Sequence, residues 1–141
     1  MSVWQILFSF EGRIRRSHWW LARIGLGFGF LLLLGIILGL TGGVAAMTGH
    51  GDGRGPAAAI AGLVFGLFML VSVPLLIWTE VAITVKRWHD RDKPGVMFLI
   101  IFIPLIGGIW TLVECGFLDG TPGPNKYGPS PKGLTTPEIF A

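Results

Sequence analysis

The sequence predicts an all-α integral membrane protein: three transmembrane helices, an N-terminal interfacial amphipathic segment and a Pro/Gly-rich C-terminal tail, with residues 1–141 forming a single membrane domain. Three observations predict it. Charged residues make up 13% of the chain and hydrophobic residues 52%, whereas globular proteins carry roughly 25% charged residues. The apolar residues gather in three runs, each near the roughly 20 residues a helix needs to cross the hydrocarbon core. Many of the 22 glycines sit inside those runs, a placement that weakens soluble helices but is common in membrane-spanning ones.

Residues 1–12, MSVWQILFSFEG, are apolar but short. Trp4, Leu7, Phe8 and Glu11 recur at spacings of three and four, as on an amphipathic helix lying in the membrane surface. With the basic cluster Arg13, Arg15 and Arg16 they form an interfacial segment, 1–18. Ser17 is a candidate N-cap, Trp19 and Trp20 suit the headgroup level, and Arg23 can snorkel back to it. The first span covers 19–43. Its uncharged stretch, Ile24 to Thr48, is too long for the h-region of a cleaved signal, about 7–15 residues, so a retained anchor is expected. Gly25 and Gly29, then Gly35, Gly39 and Gly43, lie four apart and make a strip that another helix can approach closely.

The first loop, TGHGDGRGP, is polar and glycine-rich, and Pro56 suits the first turn of the following helix. His50 and Asp52 are too few to make a metal site, and no histidine has a cysteine at zinc-ligand spacing, so no metal or cofactor is expected. The second span covers 57–85, with Pro74 expected to kink it. Glu80 stands inside this span, where a carboxylate is costly and is usually paired or facing a cavity; Arg87, two turns on, could reach back to it. The third span, 96–118, contains IPLIGG near its midpoint, either a kink or the tip of a re-entrant hairpin whose backbone must be buried in protein or line water. Cys115, the single cysteine, reads as a small buried hydrophobe. The tail, 119–141, is too rich in proline and glycine for a helix.

Basic residues bias a loop toward the cytoplasm. Arg13, Arg15, Arg16 and Arg23 precede or begin the first span, and Lys86, Arg87, Arg91 and Lys93 follow the second; together they are eight of the eleven basic residues. The N-terminus and residues 86–95 are therefore expected in the cytoplasm. Three full spans would put the tail outside; a re-entrant third segment would return it to the cytoplasm.

Three segments, FEGRIRRSHWW (10–20), KRWHDRDKPG (86–95) and IPLIGGIW…GTPGPNKYGPSP (103–131), occur in an order that resembles the bacterial inner-membrane family called domain of unknown function 805, the YhaH-like proteins. The matching positions are Phe10, Gly12, Arg13, Arg16 and Trp20, then Arg87, His89 and Asp90, then Pro104 and Gly107, and in the tail Gly120, Thr121, Gly123, Asn125, Tyr127, Gly128, Pro129 and Pro131. Lys86 and Trp88 depart from the arginine and leucine of the family pattern, which argues that position 88 supplies bulk or anchoring. The resemblance implies a multi-pass inner-membrane architecture and no defined activity.

Arg13, Arg16, Trp20, Glu80, Arg87, His89, Asp90, Asn125 and Tyr127 form the candidate functional cluster. His89 and Asp90 are sequence neighbours, which do not face each other on a helix, so they are no catalytic dyad. No catalytic constellation is present, and an enzyme is not expected. The leading expectation is a structural or regulatory protein acting through helix–helix partners, either another membrane protein or a second copy, within the lipid bilayer and without nucleic acid. The alternatives are an oligomeric ion or small-solute pathway using Glu80 and the kinked spans, and an anionic headgroup binder in which Arg13, Arg16 and Arg87 clamp phosphate.

Overall fold

The structure, a computed structural model, describes residues 2–47 and 55–133, with side chains for all of these except 44–47. His50 and Asp52 lie outside the described residues. The elements in order are α1 (Val3–Phe8), α2 (Arg16–Met47), α3 (Pro56–Asp90), a 3₁₀ arm (Gly95–Phe102), and α4 (Ile106–Thr111) running into a π-helical turn (Leu112–Phe117). The chain divides into two compact units, one of residues 1–24 with 78–141 and one of residues 25–77.

In the second unit the two long helices are apolar on every side. Phe28, Leu31, Ile60, Leu63, Leu70 and Val71 are all more than 60% exposed, so nothing among the described residues covers them, and a hydrocarbon surround is the environment that suits such helices. Phe30 and Phe68 stack at 5.7 Å between centroids. The glycine strips play no part in packing here. A Cβ placed on Gly25, Gly29, Gly35, Gly39, Gly62 or Gly66 would meet nothing within 4 Å. α3 continues through Pro74 without a break.

The first unit has a core of Ile14, Trp19, Ile83, Trp88 and Cys115. Trp19, expected at the headgroup level, is fully buried here, because the N-terminal segment, the end of α3 and the π-helical turn close around it. α1 is started by a capping box: the Gln5 backbone N–H donates to Ser2 Oγ at 3.3 Å, and the Ser2 N–H donates to Gln5 Oε1 at 3.0 Å. Ser17 is not an N-cap, since α2 already begins at Arg16. Pro56 does open α3.

Two expectations about the region after the second span change. The helix does not end at residue 85. It runs to Asp90, so Lys86 to Asp90 are helical and nearly all buried rather than a solvated loop. At 35 residues α3 is about 52 Å long, well beyond the roughly 30 Å of hydrocarbon core, which leaves its last turns for the polar unit. Residues 96–118, read as a third span or a re-entrant segment, are not one helix. The 3₁₀ arm is about 16 Å long, and α4 with its π-helical turn is at most about 18 Å; the chain reverses between them at Ile103–Leu105. Leu105 has φ 63°, and the Gly107 N–H donates to the Ile103 carbonyl at 2.9 Å. The arms touch at Gly107, where a Cβ would stand 1.9 Å from the Ile100 carbonyl oxygen. The far end of the segment meets its beginning: Glu114 pairs with Arg91 at 3.1 Å and Lys93 at 2.6 Å.

Candidate functional site

The three motif segments meet in the first unit, at Asp90. Its Oδ1 accepts from Arg13 Nε at 3.0 Å, and its Oδ2 accepts from Arg87 Nη1. The two arginines and the aspartate are each at most 4% exposed. A buried charge is tolerated where it is paired and its remaining donors are satisfied, and both guanidinium groups meet that condition. Arg13 also donates to the carbonyls of Gly123 at 2.7 Å, Gly128 at 3.3 Å and Thr121 at 2.7 Å. Arg87 donates to the Cys115 carbonyl at 2.7 Å and to the Leu118 carbonyl. The Thr121 N–H donates to the Asp90 carbonyl at 2.8 Å. A Cβ on Gly120 would lie 1.9 Å from Asp90 Oδ2, so this glycine lets the tail backbone pass directly over the carboxylate.

A second layer holds the tail turn. Asn125 Nδ2 donates to the His89 carbonyl at 2.9 Å, and its Oδ1 accepts from the Tyr127 N–H at 2.9 Å. Asn125 and Gly128 exchange backbone hydrogen bonds at 3.0 Å each. The Tyr127 ring then lies flat on His89, with centroids 3.8 Å apart and planes 7° apart. Trp20 Nε1 donates to the Gly116 carbonyl at 3.1 Å.

Of the nine candidate residues, Arg13, Arg87, His89, Asp90, Asn125 and Tyr127 come together around one buried ion-pair network. Arg16 and Trp20 reach the same unit through the carbonyls of Phe117 (3.1 Å) and Gly116. Glu80 stands apart. It pairs with Arg23 at 2.8 Å, not with Arg87, because Arg87 is committed to Asp90 and two carbonyls. The phosphate clamp of Arg13, Arg16 and Arg87 is not available as a set either, since the hydrogen-bonding capacity of Arg13 and Arg87 is taken up inside the protein. Lys86, read from the sequence only as an orienting charge and a departure from the family pattern, donates to the carbonyls of Gln5 (2.7 Å), Ile6 and Ser9; a cation at the C-terminus of a helix satisfies its last carbonyls and dipole. No local signal announces that role. The Arg23–Glu80 pair did have one: opposite charges, each close to the basic-flanked end of its own apolar run.

Beside the network lies a cavity of about 260 Å³, lined by Arg15, Arg16, Lys132 and Asp119 together with the outer faces of Arg13, Arg87 and Asp90. The hydrogen bond from Lys132, 3.0 Å from Asp119 Oδ1, holds the Asp119 carboxyl below the usual carboxylate range.

A family model described as Protein of unknown function (DUF805) matches residues 7–129. The chain belongs to the DUF805 family. The match takes in all of the ion-pair network. Among relatives of this DUF805 chain, the inner membrane protein YhaH of Escherichia coli (strain K12) is 33% identical, covering 87% of each chain. The inner membrane protein YhaI of the same strain is 27% identical, covering 94% of this chain and 93% of the relative. The uncharacterized protein YiiR of that strain is 30% identical over 91% of this chain and 89% of its own. No solved structure matches. The relatives and the uncovered apolar helices support an inner-membrane location in contact with the lipid bilayer for this DUF805 protein.

Proposed function

We propose that this DUF805 protein is a non-catalytic membrane component that acts through helix partners, a second membrane protein or another copy of itself. The observation that carries the reading is the set of open glycines in α2 and α3. Glycine inside a helix costs roughly 0.5–1 kcal/mol relative to alanine, and here the lost side chains gain no close contact among the described residues. In a bilayer, small residues at four-residue spacing are where two helix backbones approach closely. The buried charged motif residues Arg13, Arg87 and Asp90 point the same way, because they are spent on internal ion pairs and carbonyls. Glu80, the residue an ion pathway would use, is matched by Arg23.

The orientation that fits has α2 and α3 crossing, residues 96–118 entering and returning, and the N-terminus, residues 86–95 and the tail all in the cytoplasm. The basic clusters support it, and so do the bonds from Arg13 to Thr121 and Gly123.

The test is photo-crosslinking in membranes from probes at Gly29, Gly35 or Gly39. The expected result is a discrete protein adduct that disappears when neighbouring strip glycines are changed to leucine, with thermal stability in detergent unchanged. Probes that label no protein at any of these positions would overturn the reading.

A further inference from the structure

We propose that the cavity bounded by Arg15, Arg16 and Lys132 binds a phosphate group. Its volume of about 260 Å³ lies below the roughly 300–1,000 Å³ of pockets for drug-sized ligands, which suits a small polar group. Its charge is unusual for this chain. The floor, Arg13 and Arg87 against Asp90, carries a net +1. The rim, Arg15, Arg16 and Lys132 against Asp119, carries +2. The sum is +3, equal to the formal net charge of the whole protein. Elsewhere Arg23 meets Glu80, Arg91 and Lys93 meet Glu114, and Lys126 faces Asp92.

The floor residues supply field rather than ligands, since their donors are taken. The rim supplies the donors. Arg15 is exposed and has no carboxylate partner among the described residues; its Nε donates to the Pro131 carbonyl at 2.5 Å, which leaves both Nη groups for an anion. A guanidinium fork matches two phosphate oxygens. Arg16 Nε at 3.6 Å and Lys132 Nζ at 3.0 Å already converge on one oxygen, Asp119 Oδ1. Asp119 therefore sits as a resident oxyanion between them. A phosphate monoester or free phosphate, with more charge and more acceptor oxygens than a carboxylate, would take Arg15 and compete with Asp119 for the other two; a diester, with one charge and two free oxygens, would engage Arg15 and share the other two with Asp119. The recognisable chemistry is a phosphate mono- or diester, offered either by a lipid headgroup or by a soluble phosphate.

The full chain in nanodiscs separates these sources. Native mass spectrometry counts phosphatidylglycerol retained from mixed phosphatidylcholine–phosphatidylglycerol discs, and titration of inorganic phosphate into discs of phosphatidylcholine alone tests the soluble arm. Arg15→Gln should weaken whichever probe binds by about tenfold, the worth of one charge-assisted contact. Asp119→Asn should strengthen it several-fold by removing the competing carboxylate, a gain that a misfolded variant cannot show. Retention of phosphatidylglycerol without a response to inorganic phosphate assigns the site to a headgroup; the reverse assigns it to soluble phosphate. The proposal is overturned if neither probe binds, if Arg15→Gln leaves binding unchanged, or if Asp119→Asn weakens it.

Discussion

Asp90→Asn should be among the most damaging conservative changes in this protein. The carboxylate accepts from two guanidinium groups that are otherwise buried, with side chains 1% and 4% exposed across each pair. Solvent screening, which reduces surface ion pairs to about 0–1 kcal/mol, does not apply. Asparagine keeps the shape but places an NH₂ donor where one arginine needs an acceptor, and it leaves both cations without a counter-charge. Removing one partner of a buried pair costs about 3–5 kcal/mol, roughly a 10²- to 10⁴-fold change in the folding equilibrium. Arg13 keeps its tail carbonyls, so the loss should sit toward the lower end of that range. The assay is unfolding in mixed detergent–SDS micelles followed by tryptophan fluorescence, since Trp19 and Trp88 are fully buried in the same unit. Trypsin cleavage at Lys126 gives a second readout of tail release. Combined with Arg13→Gln, the effect should fall short of additive by about 1–3 kcal/mol. A loss under about 1 kcal/mol, or strict additivity with Arg13→Gln, would show that the network does not hold the unit together.

Two further outcomes follow from the chain reversal at Ile103–Leu105. Gly107→Ala should destabilise the protein by about 1–3 kcal/mol or more, because the new Cβ would stand 1.9 Å from backbone oxygen that cannot swing away. Gly108→Ala, with open space at the same site, should be neutral or slightly stabilising through helix propensity; equal effects at the two positions in the same micelle assay would refute the tight crossing. A reporter fused after Ala141 that is active only in the cytoplasm should be active, and a periplasmic-only reporter silent. The opposite pattern would mean that residues 96–118 cross the membrane fully.

The all-helical membrane class, the two long helices and the helix-poor tail follow from the sequence because each rests on local quantities: charge content, run length, and the density of proline and glycine. The helix break at IPLIGG was also visible, since Pro104 and paired glycines are local signals, although kink and hairpin remained open. What Arg13, Arg87 and Asp90 touch was not legible. Arg13 and Asp90 are 77 residues apart, and a guanidinium reads the same whether it faces lipid phosphate or a buried carboxylate. The same limit hid the capping of α1 by Lys86 and the burial of Trp19. Periodicity and composition thus determined that this chain lives in a membrane and where its helices run. Only the tertiary structure decided that KRWHD is the end of a helix locked to the N-terminal segment and to residues 115–127, because burial, and with it the meaning of a charge, is set by segments far away in sequence.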